Sequence, residues 1–321
     1  MKKTILFISI ILIAGLFTSC GNSALKDEHG CFVNYEDALK YSKKKKLPLL
    51  VFFTSDDNND LSSLTQTAVK NYAVLHADFS QATYQKTVAP ENATSKDQEL
   101  ANTYTNVLQN NYQLALLFSI ESTPSVFLCT KEGYVVAPVD SEDAFDSVQS
   151  FESALNDCKP ELEMFDQLVT ETKKGTVTER VTAIDTLYMA TSPSYRTFLV
   201  ELIKQVPQLD KKNETGLCSR YIVAAAESQA LVAYSQGDVE TAIKLYLQAA
   251  ENDLVEPEEK QECFYTAAYL AAYSGSDNYD GILAYLQTAY SIAPESAKAD
   301  AIKQAIEYFN TIVQNQSEIP E

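Results

Sequence analysis

The stretch Leu47-Pro48-Leu49-Leu50-Val51-Phe52-Phe53 constrains the fold more than any other part of the sequence. It is an unbroken apolar run, too short for an ordinary helix and rich in residues that suit strands. Thr54-Ser55 and the cluster Asp56-Asp57-Asn58-Asn59-Asp60 end it. A strand that alternates apolar and polar residues buries one face, whereas a continuous apolar run buries both. Such a strand belongs in the middle of a sheet with helices on each side. The flanking sequence supplies them. Tyr35 to Lys46 has helical spacing, with Ala38, Leu39 and Ser42 on one face, and it ends in Lys43-Lys44-Lys45-Lys46, cations favoured at a helix C-terminus. Asp60 to Lys70 predicts a short helix capped by an Asp or Asn of the acidic cluster. Tyr72–Phe79 predicts a strand, residues 80–96 a polar loop around Pro90, and Glu99 to Leu117 a helix. Ser125–Cys129 and Tyr134–Val139 predict a hairpin about Lys131-Glu132-Gly133, and Glu142 to Cys158 a closing helix. With a first strand from Cys31, the order is β-α-β-α-β-α-β-β-α.

That order resembles the thioredoxin fold over residues 31–158. Two stretches carry the resemblance: YEDALKYSKKKKLPLLVFFTS, residues 35–55, and STPSVFLCTKEGYVV, residues 122–136. The resemblance implies that Thr123-Pro124 is the Thr-Pro loop of the fold, where the proline is usually cis and the backbone edge receives extended peptides. It also places Asp57 and Asp60 where the two redox cysteines stand, and Val51 where a buried Asp accepts a proton. A shift of one residue puts Asn58 and Leu61 there instead. Neither register contains a thiol, and disulfide exchange requires a thiolate. The implied domain is thioredoxin-like and redox-inactive at this loop.

Other chemistry for the acidic cluster finds little support. Asp56-x-Asn58-x-Asp60 starts like a calcium loop, but Leu61 stands where Gly belongs and Thr67 where a bidentate Glu belongs. Acid–base work by paired carboxylates lacks a phosphate-cradling Gly-rich loop, a nucleophile motif or a neighbouring His. A solvated turn and helix N-cap is the expected role. The only histidines are His29 and His76, and with no Cys/His pair at ligand spacing a zinc site is not expected. No catalytic residue, metal or cofactor is expected.

After Pro160 the strand pattern stops and Ala, Tyr, Gln and Glu dominate. Residues 213–252 space Ala226, Ala230, Ala233, Gly237, Ala242, Tyr246 and Ala249 like a tetratricopeptide repeat, with small residues where two helices touch and Tyr wedged between them. A looser copy follows in Ala267, Ala271, Gly281, Tyr285 and Ala289, and Ser296–Gln314 reads as a capping helix. The resemblance is to a tetratricopeptide-like helical domain over residues 159–321. The domain order resembles that of thioredoxin–tetratricopeptide chaperone-associated proteins.

The N-terminus gives an address. Lys2 and Lys3 precede an apolar run from Ile5 to Phe17, shorter than the roughly 20 residues of a spanning helix. Ser19-Cys20-Gly21 resembles a bacterial lipoprotein cleavage site. That resemblance implies a signal peptide over residues 1–19, acylation of Cys20, a tether over residues 20–30, and a lipid-anchored envelope protein, at the outer membrane. Lys26-Asp27-Glu28 in the tether resembles the acidic export tags of Bacteroides-group lipoproteins. Loss of Lys2 and Lys3 takes the formal charge from −19 to −21. That acidity opposes nucleic acid as a partner, because phosphate contacts need clustered Lys and Arg. The expected function is non-catalytic binding of proteins or peptides, scaffold-like or chaperone-like. Two alternatives stand beside it. One is a glycan-binding lipoprotein of a nutrient-uptake system, kept open by 19 Tyr although the chain has no Trp. The other is a thiol–disulfide enzyme using Cys129 or Cys158.

Overall fold

The computed structural model describes residues 24–56, 61–140 and 143–317. The signal segment, Cys20, Asp57 and Asp60 lie outside the described residues. The chain divides into two compact units. Unit 1 holds the chain up to Gln167 together with Thr191–Phe198, and unit 2 holds Leu168–Ala190 and Leu199 onward.

In unit 1 the elements follow in the order α1 (Tyr35–Lys45), β1 (Leu49–Thr54), α2 (Ser62–Ala68), β2 (Ala73–Asp78), α3 (Gln81–Gln85), α4 (Ser95–Leu117), β3 (Ser125–Cys129), β4 (Val135–Pro138), α5 (Val148–Asp157) and α6 (Lys159–Glu171), the last turn of α6 falling in unit 2. The strands form one mixed sheet in the order β2-β1-β3-β4. β1 pairs parallel with β2 and antiparallel with β3, and β3 pairs antiparallel with β4. β1 is therefore interior, as its continuous apolar run requires, and each of its six residues is buried. Alternation sends its side chains to opposite faces. Leu49, Val51 and Phe53 meet Ala38 of α1, Leu114 of α4, and Phe118 and Phe127. Phe52 points the other way, its ring 5.6 Å from that of Phe151 on α5.

Local chemistry explains where the elements begin. Asn34 caps α1 by accepting from the N–H groups of Glu36 and Asp37, and Lys46 ends it in the left-handed region at φ 57°. Thr94 and Asp97 form a reciprocal capping box, so α4 starts at Ser95, four residues ahead of the expected Glu99. Ser80 caps the short α3, which occupies part of the stretch expected to be a loop. Ser147 caps α5, which begins later than the expected Glu142. α2 also starts late, and its N-cap position falls on Leu61, which has no capping oxygen; the expected Asp or Asn cap is corrected accordingly. The strand expected from Cys31 reduces to isolated bridges from Phe32 to Lys26 and Leu75, because Asn34 already turns the chain into α1. In the β3–β4 turn, Gly133 has φ 93°, and a Cβ there would meet the Tyr35 hydroxyl at 2.8 Å and Leu39 Cδ1 at 2.9 Å. Only glycine fits that approach.

The core of unit 1 is completed from far along the chain. Tyr195 and Phe198, in the 3₁₀ turn Pro193–Leu199, pack against it. The Phe198 ring lies 4.6 Å from that of Phe118, and the Tyr195 ring lies 5.7 Å from that of Phe127, edge-on. The division expected at residues 158/159 thus differs from the observed one: the start of α6 and the returning segment both belong to unit 1.

Unit 2 is helical: α7 (Val177–Ala190), α8 (Val200–Ile203), α9 (Val206–Leu209), α10 (Cys218–Ser235), α11 (Val239–Ala250), α12 (Pro257–Tyr273), α13 (Tyr279–Ile292) and α14 (Ala299–Ser317). From α10 to α14 each helix packs on the next. The small residues singled out in sequence lie at these contacts. Ala226 and Ala249 share one cluster with Tyr246 against it, and Ala230 and Ala242 share another. Gly237 turns the chain between α10 and α11 at φ 79°. Ala271, Ala289 and Tyr285 do the same work between α12 and α13, where Ile302 of α14 closes the cluster.

Candidate functional site

Three places in the molecule bring chemistry-bearing side chains together. The first is the end of β1. Thr54 and Ser55 lead out of the strand, and the Ser55 hydroxyl lies 2.7 Å from that of Thr123. The Thr123–Pro124 peptide bond is cis. Thr123 and Pro124 are partly buried. Asp56, the described member of the acidic cluster, accepts a hydrogen bond from the Gln81 N–H at 2.7 Å and so ties this loop to the start of α3. The structure therefore joins the loop after β1 to the Thr-Pro edge through Ser55, a residue without any motif of its own in the sequence.

No thiol in the described chain is poised for chemistry. Cys31, Cys129, Cys158, Cys218 and Cys263 are all free. Burial pushes every one of their pKa values up: Cys31 and Cys263 to about 12, Cys129 further still, and Cys158 and Cys218 in the same direction. Nearby carboxylates add to the effect at Cys158, where Glu161, Asp140 and Asp157 oppose ionisation. A thiolate nucleophile needs the opposite environment. Among the described residues, no three His, Cys, Asp or Glu side chains converge to hold a metal ion.

The second place went unrecognised in sequence. His76 on β2 is held from both ring nitrogens: Nδ1 lies 2.9 Å from Asp27 Oδ2, and Nε2 lies 2.9 Å from Thr54 Oγ1. The other Asp27 oxygen accepts from the backbone N–H groups of His29 and Cys31. Asp78, next on the same face of β2, accepts from the Ser80 N–H and from the hydroxyls of Ser80 and Thr83. Burial raises the pKa of both carboxyls, but the hydrogen bonds outweigh it and hold each below the ordinary carboxylate value. The detectable signal was the pair His76 and Asp78 at period two in an otherwise apolar strand. Asp27 could not be matched to it, because 49 residues separate it from His76.

The third place is on unit 2. Glu227, Leu231 and Tyr234 are exposed at i, i+4 and i+7 on α10. On α12, Tyr269 and Tyr273 are 57% and 69% exposed, and their rings stack at 5.9 Å, 13° from parallel. Glu262 continues the same α12 face toward its N-terminus. Desolvation, then the charges of Glu262 and Glu259 on α12, push the Glu227 pKa up. Lys298 offsets part of this charge, pairing with Glu262 and lying over the Tyr265 ring.

Among known proteins, an uncharacterized protein of Treponema pallidum (strain Nichols) is 30% identical over 105 residues, which is 33% of this chain. That match covers 35% of the relative, so the chain spans about a third of this relative's length. No solved structure matches. Residues 217–316 match a family model described as "Uncharacterised protein C-terminal domain", a stretch that runs from the N-cap of α10 into α14 and takes in the exposed tyrosines of α12.

Proposed function

We propose that this chain is a non-catalytic, lipid-anchored interaction protein of the bacterial envelope that holds a protein or peptide. In this reading unit 1 is a thioredoxin-like domain that has lost its redox motif. The sheet order β2-β1-β3-β4 with β3 antiparallel to its neighbours supports that, as do the helices on both faces. Unit 2 is tetratricopeptide-like, supported by hairpins that place Ala at the helix contacts and Gly237 in the turn. The anchor is Cys20.

The observation that carries the binding role is the exposed, stacked tyrosine pair Tyr269 and Tyr273 on α12. Large apolar groups held together on a solvent-facing surface mark interaction sites. The raised thiol pKa values weigh against the thiol-enzyme alternative. The Thr123–Pro124 edge is a second contact, suited to strand-like backbone pairing.

The test uses the whole chain. Wild type and a Tyr269→Ala/Tyr273→Ala variant are used in parallel to capture proteins from envelope membranes, and each captured protein is titrated against both forms. A partner bound by wild type and weakened at least about tenfold by the double variant is expected, the loss that removing aromatic anchors produces. Partners that bind both forms equally refute this surface. Binding to a glycan array with no protein partner replaces the reading with the glycan alternative.

A further inference from the structure

The end of α1 carries the strongest concentration of positive charge in the chain. Lys40 and Lys43-Lys44-Lys45-Lys46 place five of the 25 basic residues within seven positions, and no other window of that length holds more than two. No acidic residue falls between Asp37 and Asp56. All five lysines are exposed. The helix dipole accounts for Lys43, Lys44 and Lys45, which occupy the last turn. It does not account for Lys40, a turn earlier, or for Lys46, which lies beyond the helix in the left-handed region.

The carboxylates near α1 leave most of this charge standing. Glu36 and Asp37 lie in the first turn, one turn before Lys40, and offset it in part. Asp27 is engaged with His76, and Glu28 lies 3.6 Å from His29. Glu132 and Asp166 both face Lys131. The same helix lies beside the point where the chain enters the fold. The Leu25 carbonyl accepts from the Val33 N–H at 3.3 Å, and Lys26 bridges to Phe32. The Lys26 ammonium lies 4.2 Å from the Phe32 ring centroid and 5.4 Å from that of Tyr41 on α1. Lys44 and Lys45 follow Tyr41 by one turn on the same side of the helix.

We infer that the lysine-bearing end of α1 docks on the anionic head groups of the bilayer that holds the chain, an inference that rests on the reading of Cys20 as the anchor. Leu25 stands five residues beyond Cys20, a span of at most about 18 Å. An anchored chain therefore keeps α1 within reach of the head groups. Charge sets the direction. The chain as a whole is formally −19, so an anionic surface repels it, and the end of α1 is its one concentrated region of opposite sign. The attraction acts only at contact, since the Debye length is about 8 Å at physiological salt. Each lysine at such a surface strengthens association about fivefold. An acidic protein segment would match the same charges, but the anchor brings the bilayer, and not such a segment, to this helix.

The test reconstitutes the whole protein, purified from membranes, onto vesicles of phosphatidylcholine alone and of phosphatidylcholine mixed with phosphatidylglycerol. Flotation of the neutral vesicles reads the anchor. Acetylation of each lysine at low conversion, read by mass spectrometry, reads the docking. On anionic vesicles Lys40 and Lys43–Lys46 should react at least about tenfold more slowly than on neutral ones, a factor that two lysine contacts supply. Lys96, Lys211 and Lys212, exposed elsewhere, should react equally on both. Raising the salt to about 1 M, where the Debye length is about 3 Å, should remove the difference. Changing Lys43–Lys46 together to Gln should leave flotation intact and abolish the protection of Lys40. Protein that floats with neutral vesicles but shows equal acetylation on both kinds overturns the docking and leaves the anchor. Protein that floats only with anionic vesicles overturns the anchor and keeps the docking, and protein that floats with neither overturns both. Protection of these lysines by poly-L-glutamate and not by anionic vesicles overturns the docking in favour of an acidic protein segment.

Discussion

Phe198 belongs by sequence to the helical half of the chain but by packing to unit 1, and replacing it tests that assignment. Its ring covers Phe118, which is fully buried and also touches Phe53 and Phe127 at ring-centroid distances of 5.4 Å and 4.9 Å. Truncating a fully buried Phe to Ala costs about 3–5 kcal/mol. Phe198 is itself only partly buried, so about half of that applies, roughly 2 kcal/mol. For a unit of this size, 1 kcal/mol corresponds to about 2–4 °C, and Phe198→Ala should lower the unfolding temperature of unit 1 by about 4–8 °C. Thermal unfolding measures the fall, and amide hydrogen exchange locates it. Faster exchange is expected in β1 and β3, with α11 to α13 unchanged. Were residues 191–198 merely a surface connection, the substitution would stay within about 0.5 kcal/mol of wild type. That result, or faster exchange confined to α11–α13, refutes the assignment. A chain truncated after Cys158 should be destabilised for the same reason, since it lacks both Tyr195 and Phe198.

Two further outcomes follow from the charge and address of the chain. The Glu227 carboxyl has a folded pKa above its ordinary 4.5, so its ionisation opposes folding, with the cost growing as pH rises from the unfolded value through the folded one. Glu227→Gln should therefore raise the unfolding temperature at pH 7 and have little effect near about pH 4, where the group is largely protonated in both states; a gain of equal size at both pH values contradicts the argument. Cys20→Ala should abolish fatty-acid labelling and membrane retention while leaving the circular dichroism of the folded body intact, and label persisting on the variant removes the anchor.

How much was legible in the sequence depended on how far each signal reached along the chain. The interior position of β1 could be read from Leu49–Phe53 alone, because a continuous apolar run has few places to go. The contacts of α10 with α11 were equally plain, since Ala226, Ala230, Ala242 and Ala249 lie within a few turns of one another. Element starts were less accurate, because caps such as Thr94 and Ser147 compete with many other Ser and Thr residues. The Asp27–His76–Thr54 chain and the return of Tyr195 and Phe198 were invisible. Each depends on a three-dimensional meeting of residues that carry no local pattern. The site residues split the same way. The cis bond at Thr123–Pro124 was expected from its motif, while the hydrogen-bonded neighbour Ser55 needed coordinates.

The return of residues 191–198 also sets a schedule for synthesis. A domain made from one continuous stretch can close its core as soon as that stretch leaves the ribosome. Unit 1 cannot, because its sheet and its helices through α5 are made while the rings that cover Phe118 and Phe127 are still untranslated. At about 5–20 residues per second, the 40 residues from Lys159 to Phe198 take roughly 2–8 s to make. Throughout that interval the nascent chain presents an open aromatic surface. A chain of this design therefore has a built-in delay during which its N-terminal half stays incomplete.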